Sequence, residues 1–227
     1  FATVKPATTI TGRGLSMHIN GLYNERCVAL LNAIVGTIDR RGGYCLPRLF
    51  KFQQPQPVPA EPKALGGYNG NGIFETLSES RQKVNFYMAY MTNPIFNHPE
   101  SSRVAGLLQN QRIVPFFVAV ETYLSETAAL ADIVLPDTTY LEMWDLESKP
   151  SFSMIPFIGL RQPVVKPLGE SYPFAQFCID MAGKIKGMEE YFPFTSVESF
   201  LEAVIAKIPG LSQQGGLGYL MKKGVWY

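Results

Sequence analysis

The sequence predicts an α/β fold with a doubly wound, mainly parallel sheet. Three short apolar runs, at 84–91, 113–121 and 132–136, alternate with segments of helical spacing. Parallel strands of one sheet need such helical crossovers between them. Apolar residues make up 46% of the 227 residues, so the chain can bury the core that this fold requires.

The first predicted helix lies in the N-terminal part of the chain. Apolar side chains recur from Cys27 to Ile38 at helical spacing, which predicts a helix with one buried face. The glycines of Arg40–Gly43 permit the left-handed turn that ends a helix. Residues 47–72 are rich in Pro, Gln and Gly and predict a long extended connection. Two interpretations of this connection stay open, a solvated linker or a segment clamped over a neighbouring domain.

Strands and helices then alternate through the middle of the chain. The predicted elements are a strand at 84–91, a helix at 99–109, a strand at 113–121, a helix at 125–130 and a strand at 132–136. The last third of the chain predicts an extended segment at 157–162 and a helix at 175–186. A further helix is predicted to begin at a capping box formed by Thr195–Glu198.

Charge and cysteine content exclude several classes of protein. A net charge of +1 offers no clustered Lys and Arg, so we expect no nucleic-acid partner. Cys27, Cys45 and Cys178 include no C-x-x-C pair, and we expect buried free thiols rather than a disulfide framework or a zinc site. The sequence contains no run of about 18 apolar residues, so no membrane-spanning helix is predicted. A charged fraction of only 17% and a start at Phe1 predict an internal piece of a larger protein.

The candidate binding site consists of the loops that follow the first two predicted strands. Ligands of an open α/β sheet bind beyond the carboxyl ends of its strands. Thr92 and Asn93 stand in the first loop, and Glu121 and Thr122 in the second. The Glu121 carboxylate is placed to accept hydrogen bonds from a ribose or from the N1–H and 2-amino group of guanine; alternatively, Asn93 and Glu121 only cap turns and helices. Because no Walker A loop or G-x-G-x-x-G follows a strand, a classical ATP or NAD site has no support.

The run from Phe116 to Pro136 resembles a signature of the dimethyl-sulfoxide-reductase family of molybdenum and tungsten oxidoreductases. In that family an apolar strand ends in an acidic or small polar residue, a loop with a threonine precedes A-D-(I/V)-(V/I)-L-P, and an aromatic-x-E element follows. Here the strand ends at Glu121, the loop threonine is Thr127, and the last element is Tyr140-Leu141-Glu142.

Further blocks fall in the family's order and spacing. These blocks are Gly14 to Gly21 with His18, Leu31 to Gly43, and Thr92-Asn93-Pro94. Thr139–Glu142 and Ile158–Pro167 look most like the polysulfide, thiosulfate, tetrathionate, sulfite and arsenate-type catalytic subunits, with formate dehydrogenases, nitrate reductases and other branches of the family as the alternative.

The resemblance implies a cofactor and residues that hold it. The family binds molybdenum or tungsten through two molybdopterin guanine dinucleotides, and the cofactor carries oxygen-atom or sulfur transfer. Asn93 and Glu121 match positions that contact a guanine dinucleotide, and the loop from Gly14 to Gly21, with His18, matches one lying near the pterins. The further candidates for the nucleotide surface are Thr92, Thr122 and Glu142. We expect the metal ligand and the cysteines of a 4Fe-4S cluster only upstream of this chain, so no catalytic or metal-binding residue is predicted within it.

The resemblance also implies a larger assembly. Residues 1–46 are expected to form the end of a preceding cofactor-binding α/β domain. Residues 47–82 are expected to form an extended connection from that domain to the next. Residues 83–227 are expected to form a Rossmann-like middle domain, with helices that lead to a C-terminal barrel. The expected partners are an iron-sulfur ferredoxin-like subunit, a quinone-linked membrane anchor subunit, and a small inorganic oxyanion or sulfur substrate. We expect a membrane-associated complex of anaerobic respiration on the periplasmic face.

Some residues depart from the family's pattern. Arg13, Met17, Met143 and Phe174 stand where relatives often carry other side chains, which puts individual nucleotide contacts in doubt. Two other functions therefore stay open. One is a non-catalytic structural or electron-transfer subunit that keeps the fold without the metal cofactor, and the other is a free-standing nucleotide-binding α/β domain.

Overall fold

The structure is a computed structural model, and it describes residues 1–53, 55, 72–79, 84–148 and 154–227. The helices are α1 Arg13–Ser16, α2 Gly21–Ile34, α3 Gly72–Glu79, α4 Pro94–Asn97, α5 Ser101–Leu108, α6 Phe174–Ala182, α7 Val197–Ala206, α8 Pro209–Gln213 and α9 Gly216–Lys223. The strands are β1 Tyr87–Tyr90, β2 Phe117–Glu121, β3 Ile133–Pro136, β4 Asp145–Glu147, β5 Ile158–Arg161 and β6 Val225–Trp226. A mixed α/β fold is thereby confirmed.

A parallel sheet with strand order β1-β2-β3 confirms the three central strand predictions. Tyr87 lies opposite Phe117, and Glu121 lies opposite Pro136. The second strand starts later than the apolar run because the N–H groups of Ile113 and Val114 both donate to the Asn110 carbonyl, each at 2.8 Å, and so form a turn. The doubly wound arrangement around this sheet stays a prediction.

The main core packs on one face of this sheet. Side chains from α3 and α5, including Phe74 and Leu107, meet Phe117 and Ala119 of β2 there. Helix α6 lies along the other face, across an apolar cleft of about 560 Å³. Alternation along β2 explains both faces, since Phe117 and Ala119 point one way and Val118 the other.

Two predicted local structures differ from those observed. The helix predicted at 125–130 is only a 3-10 turn, Ala128–Leu130. The N–H groups of Leu130 and Ala131 donate to the carbonyls three residues earlier, those of Thr127 and Ala128, each at 3.1 Å, which is the hydrogen-bond pattern of a 3-10 helix. The capping box of α7 is shifted by one residue from the prediction. The Ser199 N–H donates to the Ser196 hydroxyl and the Ser196 N–H donates to the Ser199 hydroxyl, each at 3.1 Å, so Ser196 is the N-cap.

Helix α2 corrects a further prediction. It spans Gly21–Ile34 rather than starting at Cys27, and its predicted apolar stripe is not buried: Leu30 is 57% exposed and Ile34 is 80% exposed. Asn32 is buried instead, since its amide accepts from the Thr9 N–H at 3.0 Å and donates to the Thr9 hydroxyl at 2.6 Å. The chain segment around Thr9 therefore covers the polar side of this helix.

The cysteine prediction was wrong. Cys27 and Cys178 are exposed and Cys45 is half-buried. Cys27 lies on the exposed part of α2, and Cys178 lines the open apolar cleft beside α6. The other part of the prediction agrees with the structure for Cys27 and Cys178, which are free thiols.

The chain divides into two compact units. One consists of Phe1–Phe52, Leu146–Leu160 and Lys222–Tyr227, and the other of Gln53–Asp145 and Arg161–Met221. In the first unit, β5 and β6 pair antiparallel and the Phe50 ring packs on Trp226 at 5.1 Å. Most of the predicted connection at 47–72 falls outside the described residues, and the predicted domain boundaries stay predictions. None of the described helices has the length and apolar character needed to cross a membrane.

Candidate functional site

A cleft of about 870 Å³ lies at the carboxyl ends of the parallel strands in the second unit. The loops after β1, β2 and β3 all reach it, because the carboxyl ends of parallel strands lie at one edge of the sheet. The structure places four of the predicted site residues on this cleft, namely Thr92, Asn93, Glu121 and Thr122.

The floor of the cleft is rich in hydrogen-bond acceptors. Burial raises the pKa of Glu121, the negative charge of Asp137 raises it further, and the Thr122 N–H opposes both effects. Asp137 is buried; its N–H donates to the Glu121 carbonyl at 2.9 Å, and its Oδ1 accepts from Thr138 N–H at 2.8 Å and Phe174 N–H at 3.0 Å. Two adjacent carboxylates suit a ligand that presents N–H or O–H donors.

Asn93 ties two loops of the cleft together. Its Oδ1 accepts from the Thr127 hydroxyl at 2.7 Å and from the Thr127 N–H at 3.3 Å, and its Nδ2 donates to Glu126 at 2.7 Å. This last bond is the main cause that lowers the pKa of Glu126. Because Thr127 Oγ1 also accepts from the Ile95 N–H at 3.2 Å, the loops after β1 and β2 form one hydrogen-bonded unit.

An aromatic wall stands beside the carboxylates. The Tyr90 ring packs on Phe174 with 4.1 Å between centroids and a 32° interplanar angle, and Tyr123, Tyr140 and Trp144 also line the cleft. Burial raises the pKa of Tyr90, and the charge of Asp137 adds to that effect. Aromatic faces of this kind can stack on a nucleobase.

Two polar atoms at the cleft are buried without a hydrogen-bond partner among the described residues. They are Thr138 Oγ1 and Arg161 Nε. The Arg161 guanidinium forms an ion pair with Asp145 through another nitrogen. Buried polar atoms are nearly always satisfied in proteins, so these two atoms need a partner that the described residues do not supply.

The sequence analysis missed these residues for different reasons. Asp137 and Thr138 follow the third predicted strand directly, so the rule that selected the first two loops could have found them. Tyr90 lies within the apolar run that predicts β1, so its sequence pattern is that of an ordinary strand residue. Arg161 is distant in sequence, and no local pattern connects it with the strand ends.

The other predicted site residues lie elsewhere. Glu142 lines a separate cleft of about 490 Å³, and its carboxylate accepts from Thr139 N–H at 2.7 Å, Thr139 Oγ1 at 3.0 Å and Leu168 N–H at 2.9 Å. The bond from the Thr139 N–H has the largest effect on the pKa of Glu142. Together the three bonds outweigh desolvation and lower this pKa.

Gly14, His18 and Gly21 belong to the first unit: Gly14 lies in α1, Gly21 begins α2, and His18 lies in the turn between these helices. His18 is exposed and its carbonyl accepts from the Gly21 N–H at 2.8 Å. A Cβ at Gly21 would lie 2.3 Å from the Ser16 carbonyl oxygen, so this close approach requires glycine.

Comparison with known proteins decides the family. Residues 3–173 match the family model of molybdopterin oxidoreductases. The chain belongs to the molybdopterin oxidoreductase family. This result confirms the resemblance found in the sequence, and membership of the family implies a molybdenum or tungsten pterin cofactor.

Named relatives are similar over most of this chain. A sulfite dehydrogenase subunit of Allochromatium vinosum is 26% identical, over 81% of this chain and 25% of that protein. The thiosulfate reductase molybdopterin-containing subunit PhsA of Salmonella typhimurium is 27% identical, over 77% of this chain and 26% of that protein. The chain therefore spans about a quarter of the length of these relatives.

A solved structure is also similar. Acetylene hydratase from Pelobacter acetylenicus matches with a TM-score of 0.53 and 24% identity, over 68% of this chain and 20% of that one. At this identity the likeness concerns the fold alone.

Proposed function

We propose that this chain is part of the catalytic subunit of a molybdenum or tungsten oxidoreductase and binds the guanine dinucleotide of its pterin cofactor. The observation that carries the proposal is the cleft at the carboxyl ends of β1, β2 and β3, with adjacent carboxylates, an aromatic wall and an unpartnered buried hydroxyl. Ligands of parallel α/β sheets bind at this edge, and the doubly wound, Rossmann-like arrangement is part of the same proposal.

The residues of the cleft fit a nucleoside. Glu121 and Asp137 offer carboxylate oxygens to the N–H groups of guanine or to ribose hydroxyls, and Tyr90 offers a stacking face. Among the described residues, no group of three or more His, Cys, Asp or Glu could hold a metal ion. The chain's own contribution is then to bind and orient the nucleotide end, while the cofactor, when bound, supplies the redox chemistry.

The finer parts of the proposal concern the whole protein. Its substrate is a small inorganic sulfur compound or oxyanion, and its reaction is oxygen-atom or sulfur transfer. The names of the relatives, sulfite dehydrogenase and thiosulfate reductase among them, support this class. We extend the proposal to a 4Fe-4S cluster elsewhere in the protein, to a ferredoxin-like and a quinone-linked membrane partner, and to the periplasmic face of the membrane. The proposal also includes the predicted domain boundaries of the chain, after residues 46 and 82.

Metal and nucleotide analysis of the full-length native protein tests the proposal. We expect molybdenum or tungsten in the purified protein and guanine nucleotide in the supernatant after denaturation. Absence of both would contradict it.

A non-catalytic subunit with the same fold is the second candidate. Phe174 and Met143, which depart from the family's pattern, both bear on the cleft: Phe174 packs on Tyr90, and Met143 lines the cavity. This candidate predicts full-length protein without metal that still assembles with its partner subunits.

A further inference from the structure

Thr138 presents a buried hydroxyl that no described residue satisfies. The side chain is 0% exposed, it lines the cleft, and its Oγ1 has no hydrogen-bond partner among the described residues. Its backbone is held firmly, because the Thr138 N–H donates to Asp137 Oδ1 at 2.8 Å and Asp137 N–H donates to the Glu121 carbonyl at 2.9 Å. These bonds hold the Thr138 backbone just after the end of β3, on the same cleft as Glu121 and Asp137.

Thr127 shows what an internally satisfied threonine looks like in the same unit. It is also 0% exposed, but its hydroxyl donates to Asn93 at 2.7 Å and accepts from the Ile95 N–H at 3.2 Å. An unsatisfied buried hydroxyl costs stability, and native proteins rarely keep one without a use. Thr127 thus has a role within the fold, whereas Thr138 lacks a visible one until a ligand is present.

We propose that the Thr138 hydroxyl is a direct hydrogen-bond partner of the nucleoside bound in this cleft. The inference rests on the proposed function. The charges around Thr138 favour the base and ribose over the phosphates, because Glu121, Asp137 and Asp145 line the cleft and its cation Arg161 is paired with Asp145. A neutral hydroxyl can donate to a base carbonyl or accept from a ribose hydroxyl, while the carboxylates accept from the base N–H groups.

Three variants of the full-length protein, purified without cofactor from cells that cannot make the pterin, test this inference. Thr138→Val keeps the side-chain shape and removes the hydroxyl, Thr138→Ser keeps the hydroxyl, and Thr127→Val is the matched control. GDP is titrated by calorimetry, and the apparent Tm of each ligand-free protein is measured. We expect Thr138→Val to bind GDP up to about tenfold more weakly, since one hydrogen bond is lost, with an unchanged or higher Tm. Thr138→Ser should bind like the wild type, and Thr127→Val should lower the Tm.

The outcomes separate this inference from the function on which it rests. If Thr138→Val binds GDP as tightly as a wild type that does bind GDP, the inference is wrong and the proposed function stands. A lower Tm for Thr138→Val, as for Thr127→Val, would likewise overturn it by assigning the hydroxyl to the fold. A wild-type protein that binds no GDP would overturn the proposed function and this inference together.

Discussion

The Glu121 carboxylate lies at the end of β2 and lines the cleft. Its pKa is raised, so the folded protein holds this proton more tightly than the unfolded chain does. Stability therefore falls as pH rises from the ordinary carboxyl range through the raised pKa. Ligand N–H groups need the ionised form, so nucleotide affinity should change in the opposite direction and increase over the same pH range.

Glu121→Gln separates these two effects. We expect GDP to bind the full-length cofactor-free protein roughly tenfold more weakly, because the amide loses the charge and one acceptor oxygen. The pH dependence of binding should flatten, and the Tm at neutral pH should rise because a costly charge is removed. Calorimetry across the carboxyl pH range measures the first two quantities. Unchanged affinity and an unchanged pH profile would remove Glu121 from the site.

At the scale of elements, the loops after β1 and β2 should move as one unit. Asn93→Leu removes the amide that joins them and leaves the buried Thr127 hydroxyl without its acceptor, which we expect to cost about 1–3 kcal/mol. Hydrogen–deuterium exchange should then accelerate in both loops, at 92–97 and 122–130. Asn97→Ala is the control, because Asn97 is exposed, and it should leave exchange in the second loop unchanged. Faster exchange confined to the first loop in Asn93→Leu would show that the loops are independent.

The cap of α7 provides a second test at this scale. Ser196→Ala removes the hydroxyl that accepts the Ser199 N–H and should destabilise the protein by about 1 kcal/mol. Thr195→Ala, one residue earlier, should have little effect because Thr195 is exposed and outside the capping box. Thermal unfolding of both variants distinguishes the observed cap from the one predicted by sequence. Equal losses, or a larger loss for Thr195→Ala, would favour the predicted position.

The elements that sequence predicts well are those whose pattern and packing agree. The apolar run at 113–121 predicts β2 because its side chains are buried on both faces of the sheet. The pattern from Cys27 to Ile38 misleads, since α2 turns the amide of Asn32 inward and leaves Ile34 exposed. Hydrogen bonds between distant residues, such as Asn32 with Thr9, have no signal in a local pattern.

The candidate site also has a part that the sequence predicts and a part that it does not predict. A general rule about strand ends selects the loops of Asn93 and Glu121, because topology alone brings these loops to one edge. The bond from Asn93 to Thr127 and the missing partner of Thr138 depend on side-chain geometry. Arg161 reaches the cleft only through the fold of the second unit, so no spacing in the sequence could predict it.

At the level of the whole molecule, we propose that the chain contributes nucleotide-binding surface, and it spans about a quarter of the length of the relatives that it matches. The relatives are about four times longer than the part that matches, so the proposed substrate, electron partners and location depend on segments other than this one. The chain itself forms one cleft at the strand ends, and we propose that a nucleotide occupies this cleft.

An experimental structure of the full-length native protein would show what occupies the cleft. We predict purine nucleotide density in the cleft, with the base beside Glu121 and Asp137 and a polar atom within hydrogen-bond distance of Thr138 Oγ1. A cleft filled by another segment of the protein, with the Thr138 hydroxyl bonded to that segment, would show that this cleft is not a nucleotide site.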